Sequence, residues 1–205
     1  MKNTQKKLKA KHFRYLSRKE IKDPLSYLKY HFVDVTTIAL WSRDVTALLQ
    51  SSIDKRLTLK GYPYVSIGQD LIKHVEIAYV IYVNCRIKHL SQDCMKVNSN
   101  LSRRNHFEKE RLYRPEEILY LFFSFQPLQR WREEIDWMTH KAFADWTGYK
   151  YEPEKNSMIH YVYITELIYA LYQIYEEDGV ELEFPEYIKP KIRNDSESFS
   201  TARSR

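Results

Sequence analysis

The stretch that decides the fold is Asn156 to Asp178, NSMIHYVYITELIYALYQIYEED. Its apolar and aromatic residues fall on three overlapping helical stripes, so few polar positions remain around the helix. A helix that is apolar on nearly all sides must be enclosed by other elements. Asn156 or Ser157 can cap its start, and Gly179 can end it in the left-handed conformation. The stretch therefore predicts the central hydrophobic helix, near 157–178, of a helical bundle.

A membrane span is the alternative interpretation of this stretch. Against it, the run contains Glu166, His160 and five tyrosines. A carboxylate near the middle of a bilayer is costly, and a spanning segment needs about 20 predominantly apolar residues. These residues favour a core helix of a soluble protein over a membrane span.

The rest of the chain carries further helix patterns. Ser17 and Glu20 form a capping box, and Asp23-Pro24 is a cap followed by proline at the first helical position. Apolar residues at helical spacing predict helices at Thr36 or Thr37 to Ser51, Gln69 to Leu90, Pro115 to Phe125 and Pro127 to Gly148. The stretch from Asp54 to Gly68 is the least helical, and we interpret it as an ordered connection. Its alternating apolar and polar residues would permit a short hairpin.

These patterns predict an all-α fold, a helical bundle of five to seven helices. A lysine-rich start and a serine-rich charged end predict a basic flexible arm at 1–11 and a disordered tail at 191–205. The single helical domain between them spans 12–190, which is a common size for one domain.

Composition excludes several classes of enzyme. The four glycines stand apart from one another, so no phosphate-binding loop or dinucleotide fingerprint is present. None of the seven histidines follows an acidic residue by three positions, which argues against the metal motif of helical bundles. A nucleophile elbow of the Gly-x-Ser-x-Gly type is missing. We therefore expect no cofactor and no metal, and an enzymatic role is less favoured than a binding role.

Two features bear on where the protein works. Cys85 and Cys94 cannot build a disulfide framework, and free thiols fit a reducing cytosol. The chain opens without a charged-then-apolar leader, so we expect no secretory signal. Together these features predict a cytoplasmic protein.

Charge is strongly polarised along the chain. Residues 1–114 contain 23 Lys/Arg and 10 Asp/Glu, whereas residues 115–188 contain five Lys/Arg and 15 Asp/Glu. Such an asymmetry indicates that the basic half meets a polyanion or an acidic partner. A surface of ordinary solvated charges is the alternative.

The leading hypothesis is a non-enzymatic helical protein that contacts nucleic acid or an acidic protein partner through its basic N-terminal half. Its contacts would come from the N-terminal arm and from the polar, basic region Arg86 to Arg114. The predicted nucleic-acid-binding residues are Lys6, Lys7, Lys9, Lys11, Arg14, Arg18, Lys19, Arg103 and Arg104.

Two other hypotheses remain open. A basic helical bundle is similar in kind to the metal-independent RNases of the HEPN class, whose active site has an Arg and a His separated by four to six intervening residues. No Arg and His have that spacing here, and the nearest substitute is Arg132, Asp136 and His140 on one helix face. The third hypothesis is a homo-oligomeric interaction module, in which the acidic half of one copy docks on the basic half of another.

The front of the chain resembles an uncharacterised bacterial all-helical family. The resemblance lies in Phe13 to Ile21, FRYLSRKEI, in Asp23-Pro24, and in His31-Phe32 at the position of an aromatic pair. Leu49 to Ile53 matches the end of the next apolar helix, and Leu71 to Tyr79 matches the helix after it. The resemblance implies an all-helical cytosolic fold and carries no activity, cofactor or catalytic residue.

Overall fold

A computed structural model of the chain describes residues 8–84, 115–144 and 157–176. These ranges contain seven α-helices and no strand, which confirms the all-α class and the predicted number of helices. The helices are α1 (Arg18–Lys22), α2 (Pro24–Tyr30), α3 (Ile38–Ile53), α4 (Tyr64–Asn84), α5 (Pro115–Phe125), α6 (Leu128–Phe143) and α7 (Ser157–Glu176). A π-helical turn at His31–Val35 joins α2 to α3, and 3₁₀ turns lie at Ala10–His12 and Lys55–Leu57.

The predicted helix starts are confirmed where a cap is present. The Ser17 hydroxyl accepts from the amide of Glu20 at 3.3 Å, and the Glu20 carboxylate accepts from the amide of Ser17 at 2.7 Å. Asp23 caps α2 ahead of Pro24, and Thr37 caps α3. Each cap satisfies backbone donors that the first helical turn leaves unpaired.

Helix α4 begins at Tyr64, five residues before its predicted start. The interpretation of 64–68 as part of an ordered connection is therefore wrong. Gly68 lies inside the helix and is buried, because α4 and α6 cross closely there. A β-carbon placed on Gly68 would lie 2.0 Å from the Thr139 hydroxyl oxygen.

The centre of the bundle is α4 packed against α6. Helix α3 lies against α4, α6 and α7, and α5 packs on α7. Most residues of α4 are buried, including Leu71, Val75 and Ile81. One continuous hydrophobic cluster joins all the long helices, and its largest buried pair is Phe122 and Trp131, whose rings stack at 3.9 Å.

The predicted helix near 157–178 is present as α7, but it is enclosed on one face only. Ile164, Leu167 and Leu171 are buried, whereas Met158 is 63% exposed and Tyr169 is 49% exposed. The apolar residues of α7 thus exceed what the described part of the bundle covers. None of the helices in the three described ranges has the length and hydropathy that a bilayer crossing requires.

Several predictions fall outside the described residues. They concern the Asn156 cap, the stop at Gly179, both cysteines, the Arg86 to Arg114 region and the C-terminal tail. The predicted helix end at Gly148 is wrong, because α6 ends at Phe143 and the next residue, Ala144, takes an extended conformation.

Candidate functional site

A buried carboxylate fixes the N-terminal segment to the bundle. Glu76, in the middle of α4, has no solvent exposure. Its Oε1 accepts from the Arg14 amide at 2.7 Å, and its Oε2 accepts from the Tyr15 amide at 2.9 Å. The guanidinium of Arg132 pairs with the same carboxylate and donates to the His12 carbonyl at 3.0 Å. We call this cluster of Glu76, Arg132 and the 12–15 backbone the Glu76 anchor.

Apolar contacts complete the attachment. Phe13 and Leu16 are buried on either side of the two amides that bind Glu76, and the Phe13 ring packs near Tyr79. Further along the segment, Glu20 of α1 pairs with Lys73 of α4 at 2.7 Å. The backbone of 12–20 is therefore held at several points, so the basic side chains of this segment start from a fixed frame.

This frame carries an excess of positive charge. Residues 8–30 contain seven Lys/Arg and two Asp/Glu. Both acids are engaged within the fold: Glu20 pairs with Lys73, and Asp23 binds Ser26. The other cations of this segment, apart from Arg14, are exposed, and we name them the N-terminal cationic surface: Lys9, Lys11, Arg18, Lys19, Lys22 and Lys29. Within the described residues, none of these six side chains forms an ion pair.

The nine residues predicted to bind nucleic acid divide into two groups. Lys6, Lys7, Arg103 and Arg104 lie outside the described residues. Lys9, Lys11, Arg18 and Lys19 are exposed on the N-terminal cationic surface. Arg14 differs from these, because its guanidinium lies 2.5 Å from the carboxylate of Asp136. That hydrogen bond raises the pKa of Arg14 above its ordinary value.

A pocket of about 230 Å³ opens beside this ion pair, between α4 and α6. Helix α4 contributes Val65, Gly68 and Gln69; α6 contributes Asp136, Thr139, His140 and Phe143; and Tyr15 of the N-terminal segment forms the third wall. Two of the lining residues, Gly68 and Thr139, mark the close approach of α4 to α6. Val65 and Phe143 are 45% and 68% exposed, so apolar surface faces solvent at the rim.

The triad considered for a nuclease is split by the structure. Asp136 and His140 line the pocket, but Arg132 is only 8% exposed and is held by Glu76. Residues four apart on an α-helix are rotated by about 40° relative to each other, so a series of three drifts by about 80°. That drift turns Arg132 toward the core while His140 faces solvent. Arg132 therefore does not share an exposed face with Asp136 and His140.

A second polar cluster lies on the other side of α4 and was not anticipated. His31, on the π-helical turn, and His74 of α4 are buried, with ring centroids 4.1 Å apart and the Trp41 ring within 5.1 Å of each. His74 Nδ1 bonds to the Asp70 carbonyl at 2.7 Å. None of the described residues gives a hydrogen-bond partner to the Nε2 atoms of the two histidines or to the indole nitrogen. We call these three residues the histidine cluster.

Burial keeps the histidine cluster neutral. Desolvation lowers the pKa of His31 to about 4, with a smaller contribution from the charge of Lys73. Desolvation, together with the neighbouring His31, also lowers the pKa of His74 well below its ordinary value. His74 has no solvent exposure. A histidine among apolar residues gives no sequence pattern that distinguishes a buried side chain from an exposed one.

The described residues contain no group of three or more side chains able to hold a metal ion. In the comparisons with known proteins, no family model, curated protein or solved structure matches the chain. The function must therefore be inferred from the surface and the sites described above.

Proposed function

We propose that this protein binds nucleic acid through the N-terminal cationic surface. The observation that carries the proposal is the excess of charge on a fixed frame: residues 8–30 contain seven cations and two acids, and both acids are bound within the fold. Phosphate contacts depend on positive charge and release counterions, so they supply most of the affinity of nucleic-acid binding that is independent of sequence.

The Glu76 anchor supports this proposal. It ties the start of the segment to α4 and α6 with two hydrogen bonds from backbone amides and a buried ion pair. Because the backbone is already ordered, binding would order only the ends of the lysine and arginine side chains. Less conformational entropy would then be lost on association than with a free arm. Arg103 and Arg104 belong to the same proposal as a second contact region.

Fluorescence anisotropy with an RNA and a DNA probe at two salt concentrations tests the proposal. We expect the affinity to fall steeply with salt. Arg18→Glu/Lys19→Glu should weaken binding more than tenfold and reduce the slope of log K against log salt by roughly 1.4 to 1.8, since two phosphate contacts are lost.

The matched control is Arg43→Glu/Lys60→Glu, which makes the same charge change at exposed positions outside the N-terminal cationic surface. We expect this control to retain most of the affinity. Equal loss in both double variants would mean that net charge alone matters. An absence of binding at low salt would contradict the proposal. Capture of an acidic protein in its place would indicate that the partner is an acidic protein and not a nucleic acid.

Metal-independent RNA cleavage is the second candidate, because Asp136 and His140 line one pocket. An imidazole beside a carboxylate can move protons during transfer of a phosphodiester. His140→Ala would abolish cleavage in the presence of a chelator while leaving the thermal midpoint unchanged. Retained cleavage would contradict this candidate and leave the binding proposal intact.

A further inference from the structure

We infer that the pocket between α4 and α6 holds one unstacked base of a single-stranded nucleic acid. The inference rests on the proposed function, and it specifies which form of nucleic acid the protein prefers. Three observations carry it: the exposed ring at the rim, the polar groups inside, and the position of the pocket relative to the N-terminal cationic surface.

The first observation is the exposed aromatic ring. Phe143 is 68% exposed at the last turn of α6, and it lines the pocket together with the half-exposed Val65. A large apolar ring left in water beside a concave surface is typical of a binding site. Proteins that bind single strands commonly stack bases on such rings, and every base has a face that can stack.

The second observation is the set of polar groups. Gln69 can donate and accept hydrogen bonds, Asp136 can accept from an exocyclic amine, and His140 can do either according to its tautomer. These groups match the edge of a base better than they match a phosphate. The charge of Asp136 is balanced by Arg14 at 2.5 Å, so the pocket does not strongly repel a polyanion.

The third observation is the path from the pocket to the cations. Val65, Gln69 and Lys73 follow one another at four-residue spacing along one side of α4, each about 6 Å further along the axis. Lys73 binds Glu20 of α1, and Tyr15 forms a wall of the pocket. The cations Arg18 and Lys19 therefore lie on the segment that borders the pocket. A strand whose base enters the pocket can place its neighbouring phosphates on that segment.

A base in a duplex is paired and stacked, so it cannot enter the pocket unless the duplex opens. The inference therefore predicts a preference for single strands that depends on the ring of Phe143. Contacts of the N-terminal cationic surface with phosphates would serve both forms. This difference separates the pocket from the surface in an experiment.

The test measures anisotropy of the full-length protein with a fluorescein-labelled mixed-sequence DNA 12-mer and with its duplex. Phe143→Leu should lower single-strand affinity about tenfold and change duplex affinity less than twofold. Phe143→Trp should retain single-strand affinity, because a ring is still present. Tyr169→Ala, which removes an exposed ring from α7, should change neither. Thermal unfolding of each variant confirms that it is folded.

Failure of the inference is distinguishable from failure of the proposed function. If the wild-type protein binds the single strand with the expected salt dependence and Phe143→Leu binds equally well, or loses both forms equally, the pocket does not hold a base. If Arg18→Glu/Lys19→Glu leaves both affinities unchanged, the proposed surface is wrong.

Discussion

The Glu76 anchor and the histidine cluster each take one residue from α4, and both bury polar groups, but they do so in different ways. The Glu76 carboxylate has no exposure and receives two backbone amides and a guanidinium. The Nε2 atoms of His31 and His74 have no partner among the described residues. A charge can be buried only with partners of this kind, whereas an imidazole can be buried by giving up its charge. The anchor therefore depends on other segments of the chain, and the histidine cluster depends on pH.

Removing the charge partner of Glu76 should have the largest effect. Arg132→Met leaves a buried carboxylate without its counter-ion, and we expect the free energy of unfolding to fall by about 3–5 kcal/mol. Urea unfolding at pH 7 measures it. Glu76→Gln/Arg132→Met, which removes both charges and keeps an acceptor for one amide, should recover part of the loss. A loss below about 1 kcal/mol in the single variant would mean that the anchor does not carry a buried charge.

Acid should destabilise the fold through the histidine cluster. The folded-state pKa of His31 is lowered to about 4, so the unfolded chain binds more protons than the folded chain below about pH 6.5. Stability therefore falls as the pH falls from about 6.5 to about 4. The charge of Lys73 acts on His31, and His74 Nδ1 bonds to the backbone carbonyl of Asp70 in the same helix.

His31→Phe removes this titrating group while retaining an aromatic ring. Between pH 6.5 and pH 5, we expect the variant to lose about 2 kcal/mol less stability than the wild-type protein. Urea unfolding at several pH values gives the profiles. His140→Ala, which removes an exposed histidine, should follow the wild-type curve. If His31→Phe also follows the wild-type curve, His31 is not buried in its neutral form.

Gly68 allows a test of how closely α4 packs on α6. In Gly68→Ala the new methyl group would meet Thr139, whose hydroxyl oxygen lies 2.0 Å from the β-carbon position. Overpacking costs about 1–3 kcal/mol, and the better helix propensity of alanine offsets up to about 1 kcal/mol. We expect a net loss of about 1–2 kcal/mol in urea unfolding. Gly68→Ala/Thr139→Ala should restore most of it, and no loss in the single variant would mean that the crossing is looser.

The exposed pair of Arg14 and Asp136 should contribute least. Both side chains are more than one-third exposed, and such pairs contribute under about 1 kcal/mol. Asp136→Asn should therefore change the free energy of unfolding slightly, and 0.5 M salt should abolish the difference. The effect of Arg132→Met should persist in the same salt. A large effect that salt does not reduce would place Asp136 in the same class as Glu76.

Local features of the fold could be predicted from the sequence, and contacts between distant segments could not. The caps at Ser17 and Asp23 are confirmed, as is a helix start near Thr37, because each depends on residues within one helical turn. The sequence predicts a connection at Gly68, since glycine inside a helix is unfavourable unless a neighbouring helix requires it. Only the packed structure shows that neighbour.

The candidate site shows the same division. Exposure of Lys9, Lys11, Arg18 and Lys19 follows from their charge and is observed. Glu76 was not singled out, because its partners lie 62, 61 and 56 positions away in the chain, at Arg14, Tyr15 and Arg132. A carboxylate in an apolar helix gives no sign of which distant groups it binds.

The separation of these partners has a consequence for folding. Glu76 receives its amides from the front of the chain and its counter-ion from a helix made much later. During synthesis the N-terminal segment leaves the ribosome first, but its binding site is complete only after α6 has been made and has packed on α4. Such long-range contacts form late, because a large loop must close before they contribute. We expect amide exchange and limited proteolysis to show residues 8–20 as the last segment protected during refolding.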